Sequence, residues 1–176
     1  MYSLNEKVVY PGHGVARVNR IVEKPVSGNV TKFFELKFLN KEMTILLPIE
    51  NIIDAGVRKL STEEGIKEIF VILSTPVNEI KSKEFFKVSS WNKRSKQYQF
   101  KLRTGSIVEI TKIYKDLQYA SQQKGLSFGE KNLLNQTENL LAQEISLVQN
   151  VVEERAIEAL RSHFKCARIC RKPVQA

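Results

Sequence analysis

The chain has 176 residues, 42% of them hydrophobic, with 28 Lys/Arg against 19 Asp/Glu and a formal net charge of +9. That is enough apolar material for one ordinary domain or two small ones with a real core, and it excludes a disordered chain. No apolar run approaches the roughly 20 residues of a membrane span, the start MYSLNEKVVY has neither a charged nor an apolar leader region, and two cysteines exclude a disulfide framework, so a cytoplasmic protein with no membrane partner is expected.

From Lys7 to Ile53 the pattern is short and β-like. KVVY, GVARVNRIVEK, VTKFFELKFL and MTILLP carry branched and aromatic residues between turn signals, which predicts four or five strands. Pro11-Gly12-His13-Gly14 separates the first strand from the second, Ser27-Gly28-Asn29 supplies residues tolerant of positive φ for a hairpin, and Asn40-Lys41-Glu42 makes a further tight connection. About 50 residues of sheet have few ways to avoid open edges, which predicts a strongly bent SH3-like or Tudor-like β-barrel. Barrels of this size usually bind rather than catalyse.

After Gly56 the period becomes helical. Three capping boxes precede apolar stripes: Ser61 with Glu64, Ser106 with Glu109, and Ser127 with Glu130. Gly105 and Gly125 stand where glycines end helices, and Val151 to Phe164 reads as a last helix. Four or five helices in a compact bundle are expected. The fold class is therefore α+β, with a β module over 1–57, a helical module over 58–165, and a basic tail over 166–176 whose last few residues are expected to be disordered.

Charge divides with the modules. Residues 1–57 hold seven basic and six acidic side chains, whereas 58–176 hold 21 and 13; Lys81 to Arg103 alone has eight basic residues and one acid, Glu84. Such a run is either a solvated surface or a phosphate-binding one. It contains the sole tryptophan, Trp91, followed by Lys93, Arg94 and Lys96. In a helix from Trp91 to Arg103, Trp91, Tyr98 and Leu102 share a face, as core residues would. The Ser89-Ser90 pair nevertheless makes Trp91 the first helical residue, where a side chain can overhang the bundle, and the cations that follow suit an aromatic wedge between bases. Both readings stand at this point.

Other candidate chemistry is thin. His13 lies between two glycines far from any second ligand, which suits a turn; Cys166 and Cys170 lack the further ligands of a closed zinc site; and neither a P-loop nor a nucleophile elbow occurs. No catalytic residue, metal or cofactor is expected, and the chain reads as a binding protein rather than an enzyme. No helix-turn-helix, zinc-finger or RNP signature supplies base readout.

VVYPGHGVARV, LLPIENIIDAGVRKL, the Trp-Asn-Lys-Arg of residues 91–94, LRTGSIVEI and GLSFGEKNLL carry a resemblance. In this order, from about Asn5 to Phe164, the chain resembles the bacterial CarD/CdnL family of RNA polymerase-binding transcription factors. The resemblance implies a Tudor-like N-terminal domain bound to the β subunit of RNA polymerase, and a helical domain that stabilises the open promoter complex by touching promoter DNA at the upstream edge of the transcription bubble without reading its sequence. It implies a polymerase contact at Lys24 and at Leu46, Leu47 and Pro48, with Leu46 standing where some relatives have arginine. It also implies a DNA wedge at Trp91 with Lys93, Arg94 and Lys96. Where many relatives begin Gly-Asp this chain has Asn5-Glu6, and Asn tolerates the left-handed conformation. Nothing demands a dimer, so a monomer is expected. The alternative is a general RNA-binding or ribosome-associated protein whose SH3-like barrel binds RNA.

Overall fold

The computed structural model describes residues 2–26, 28–77, 90–123 and 125–169, with side chains as far as Phe164. Ser27, most of the basic stretch before Ser90, the side chain of Cys166, and Cys170 with the tail after it lie outside the described residues. Two compact units form, one from Met1–Leu60 with Arg103–Gly105 and one from the rest.

The first unit is a five-stranded antiparallel sheet: β1 (Lys7–Tyr10), β2 (Gly14–Val26), β3 (Asn29–Phe38), β4 (Thr44–Pro48) and β5 (Arg58–Lys59). Its spatial order is β4-β3-β2-β1-β5. β1 turns into β2 through the Pro11 to His13 segment, with Tyr10 paired to Gly14, and positive φ values at Gly12 and Gly14 (72° and 101°) close that turn. His13 completes it by stacking edge-on against Tyr10 and Phe38 at centroid distances of 5.5 and 6.0 Å. β2 and β3 form a hairpin closed at Val26 and Asn29, with Gly28 at φ 86°. Asn5 adopts φ 66° and donates its amide to Val18 O at 2.7 Å, while Glu6 pairs with Lys59 at 3.0 Å.

Alternation along the strands buries Val8, Ala16, Val18, Phe34, Leu36, Phe38 and Leu47, joined by Ile52 and Val57. A bulge between Val18 and Arg20 bends β2. The sheet does not close into the expected barrel. β5 has only two residues, both paired to β1, and β4 pairs only with β3, so β4 and β5 remain edges.

The second unit has five helices among the described residues: α1 (Glu63–Ser74), α2 (Trp91–Arg103), α3 (Ile107–Gln123), α4 (Phe128–Gln149) and α5 (Glu153–Ile169). Ile66, Ile69 and Leu73 of α1, Tyr98 and Leu102 of α2, Ile110, Ile113, Tyr114 and Leu117 of α3, Leu133, Leu141 and Ile145 of α4, and Ala156 and Leu160 of α5 make one core. Each set falls at the three- and four-residue spacing of a helix stripe.

The starts of these helices differ from the three expected boxes. Thr62, not Ser61, caps α1, its hydroxyl accepting from Gly65 N at 3.3 Å. Ser61 instead donates its amide to Glu144 on α4 at 2.8 Å, a tertiary bond in place of the expected local one to Glu64. α3 starts after Ser106, but the Glu109 carboxylate goes to Lys112 and Lys101 at 2.6 and 2.9 Å. Ser127 and Glu130 form the complete reciprocal box at α4. Gly105, at φ 68°, ends α2 in the left-handed conformation, whereas Gly125 has no positive φ; Asn150, at φ 54°, closes α4. No described helix is long and apolar enough to cross a membrane.

Candidate nucleic-acid and protein interfaces

The tryptophan resolves into neither of its two simple readings. Trp91 is half-buried at the first residue of α2 and packs its inner edge against the helical core. Its indole lies on the backbone of Gly129, the second residue of α4: a Cβ there would stand 3.0 Å from both Cζ2 and Nε1. Only glycine lets the ring settle this close, so the GLSFGEK segment provides the seat for the indole.

Arg94 holds the same junction from inside. Its side chain is 4% exposed, and its Nη2 meets Glu130 Oε1 at 2.7 Å. The other oxygen of Glu130 accepts from Ser127 N and Oγ at 2.9 and 3.0 Å, and the guanidinium carbon stands 5.9 Å from the Trp91 ring centroid. One buried carboxylate thus caps α4 and anchors the second turn of α2. Arg94, expected at the DNA contact, is instead placed in the interior on Glu130, because position 94 falls with Tyr98 and Leu102 on the buried stripe of α2. Arg94 orients the tryptophan. Lys93 and Lys96 point into solvent, as does Lys131 on α4, and no carboxylate among the described residues pairs with them. A part-exposed indole at the start of a helix that also carries exposed Lys93 and Lys96 offers a ring to bases and cations to phosphates.

In the sheet unit, strand alternation sorts the other candidate residues. Lys24 faces Thr31 across β2 and β3, Leu46 faces Glu35, and Pro48 faces Phe33. By parity Lys24, Leu46 and Pro48 lie on the outer face, around an Arg20–Glu35 ion pair of 2.9 Å that Asn19 supports with a 2.6 Å bond. The Arg20 guanidinium, then Asn19 and the nearby Lys24 cation, hold the Glu35 carboxyl below the usual carboxylate range. Leu47 has the opposite parity and is buried against Phe34, so its side chain belongs to the core and only its strand backbone reaches the β4 edge. Lys24 is exposed, while Leu46 and Pro48 are half-buried.

Sequence reasoning singled out Trp91, Lys93 and Lys96 as candidates, and the structure leaves the indole half-buried and both lysines exposed; that reasoning missed Gly129 and the inward role of Glu130. The 127–130 capping signal marked the right place. Nothing local marks a partner 36 residues away in sequence.

Two protein-family models match: the CarD-like/TRCF RID domain over residues 2–61 and the CarD C-terminal domain over residues 75–161. YdeB of Bacillus subtilis (strain 168), which bears a transcription-factor name, is 23% identical over 155 residues, covering 88% of this chain and 97% of that protein. The solution structure of the 72-residue N-terminal domain of Myxococcus xanthus CarD matches with 30% identity over 34% of this chain and 79% of that one, at a TM-score of 0.30. With one family model on each unit, in the family's order, and a relative matched along nearly its whole length, the chain belongs to the CarD family of transcription factors.

Proposed function

We propose that the chain binds the β subunit of RNA polymerase through the open β4 edge and the outer sheet face bearing Lys24, Leu46 and Pro48, and stabilises the open promoter complex with Trp91 at the upstream edge of the bubble. The observation that carries this reading is the half-exposed indole, held from below by Arg94 and Gly129 while its outer edge and the neighbouring Lys93 and Lys96 face solvent.

A ligand shifts an equilibrium only by its differential affinity for the two states. Inserting an aromatic into intact duplex costs a few kcal/mol of unstacking, and that cost falls where the strands have already parted. A preference of about 1.4 kcal/mol is tenfold in open-complex population. Lys93 and Lys96 supply phosphate contacts that give no sequence preference and position the ring. Alone they bind weakly, with a dissociation constant on the order of 10⁻⁴ to 10⁻⁶ M at physiological salt, so attachment to polymerase raises the local concentration of the helical unit near the promoter. At the sheet edge, unpaired β4 backbone groups can add a strand from a partner, and Leu46 and Pro48 offer apolar contact beside them.

Open-complex lifetime at one promoter, measured with polymerase and the full chain, tests both halves. Trp91→Ala should shorten the lifetime about tenfold with polymerase binding intact. Leu46→Glu should weaken binding to polymerase and leave affinity for free DNA unchanged. Equal lifetimes for wild type and the folded Trp91 variant would end the wedge role.

A further inference from the structure

Phe128 is the first residue of α4 and is 81% exposed, so its ring contributes almost nothing to the bundle. It immediately precedes Gly129, on which the Trp91 indole rests. Two aromatic side chains, each at the first residue of its helix, therefore stand at one junction, one half-buried and one nearly bare. Helical spacing places Lys131 on the same exposed face of α4 as Phe128. The one acid in that turn, Glu130, is buried and neutralised by Arg94. The surface at this junction is aromatic and cationic, without an exposed carboxylate in the first turn of either α2 or α4.

Phe100, 73% exposed on α2, is a different case. It lies nine residues beyond Trp91, about 13 Å along the helix axis, too far to share a nucleotide step with it. A protein partner is a poorer match than nucleic acid, because the two rings are flanked by like-signed lysines and every base offers a π-face to either ring.

We propose that Phe128 is a second stacking surface beside Trp91, receiving an unpaired base next to the strand junction while Lys131 holds an adjoining phosphate. This rests on the wedge reading of Trp91 and extends it. The tryptophan props the junction open, and the phenylalanine keeps a released base from returning to its partner. The ligand is a single-stranded segment continuous with duplex, without preference for base identity.

The test compares full-length wild type, Phe128→Ala, Phe128→Tyr, Phe128→Leu and Trp91→Ala for binding to a labelled forked DNA and to a fully paired duplex of equal length, at low salt. Phe128→Ala should lose about tenfold in affinity for the fork and little for the duplex, Phe128→Tyr should retain fork binding, and Phe128→Leu should not. With so exposed a side chain, these substitutions leave the fold intact, which circular dichroism verifies. If Trp91→Ala lowers fork preference and Phe128→Ala does not, the Phe128 assignment falls and the wedge stands. If neither affects the fork, the wedge reading falls and takes the Phe128 assignment with it. Equal losses on fork and duplex, or full function in Phe128→Leu, overturn base stacking.

Discussion

Gly129 illustrates how the absence of a single atom can set the position of a ring. In the first turn of a helix alanine would normally be preferred, by up to about 1 kcal/mol. Here its Cβ would lie 3.0 Å from two atoms of the Trp91 indole, tighter than most Cβ contacts, and the ring would have to shift slightly on its seat. Gly129→Ala should therefore change overall stability by less than about 1 kcal/mol while shifting the emission of the sole tryptophan to longer wavelength. Unchanged emission would mean that the ring does not rest where the structure has it. Arg94 makes the complementary point, since a sequence of four residues, Trp-Asn-Lys-Arg, looks uniformly suited to DNA until burial separates its cations. A buried cation needs its partner, and Glu130 provides it at 2.7 Å.

Between elements, the packing of α3 against α2 contains an unusual carboxyl. Asp116 is pushed from an ordinary 3.8 up to about 6, chiefly by burial, with the Lys101 and Lys115 cations opposing the shift in part. The folded chain then holds this proton more tightly than the unfolded chain. Stability from this group is greatest when both states are protonated, falls as pH rises from about 4 through about 6, and is lowest above that range. Asp116→Asn should raise the melting temperature at neutral pH, with the gain shrinking toward pH 4; a pH-independent gain would show that the carboxyl does not titrate there. Lys115 stays in place for a separate reason, as its amine meets Ile72 O and Thr75 O at the end of α1 at 2.5 and 2.6 Å. The sheet offers a parallel lesson. The hairpin turns were legible in the turn residues, but closure was not, because closure depends on whether the edge strands are long enough to pair with each other, and β5 has two residues.

For the whole molecule, the net charge of +9 favours anionic partners and says little about where one would bind. The structure separates surface cations from structural ones, and the separation is measurable. Lys93→Ala and Lys96→Ala should each weaken DNA binding for all sequences and reduce the slope of log affinity against log salt by about 1. Arg94→Ala should instead cost about 3–5 kcal/mol of folding stability, because it leaves the Glu130 carboxylate buried without its cation. A full unit of salt slope lost with Arg94, in a variant as stable as wild type, would place its guanidinium on phosphate and contradict the buried pair. Denaturant unfolding and DNA titrations over a range of salt make the comparison.

The amino-acid sequence by itself determined the two-part α+β organisation, the turns at Gly12 and Gly28, the helix start at Ser127, and Trp91 as the first residue of its helix, because each of these follows from neighbours within a few positions. Burial and pairing across dozens of residues were decided only in three dimensions. Arg94 turned inward to Glu130, Leu47 fell on the core face while Leu46 faced out, Ser61 spent its amide on Glu144, and Phe128 was left in water beside the tryptophan. Local hydrogen bonds and periodicity are written along the chain; which polar group meets which, and which ring keeps a free face, depends on the packing of elements that the chain order does not make adjacent.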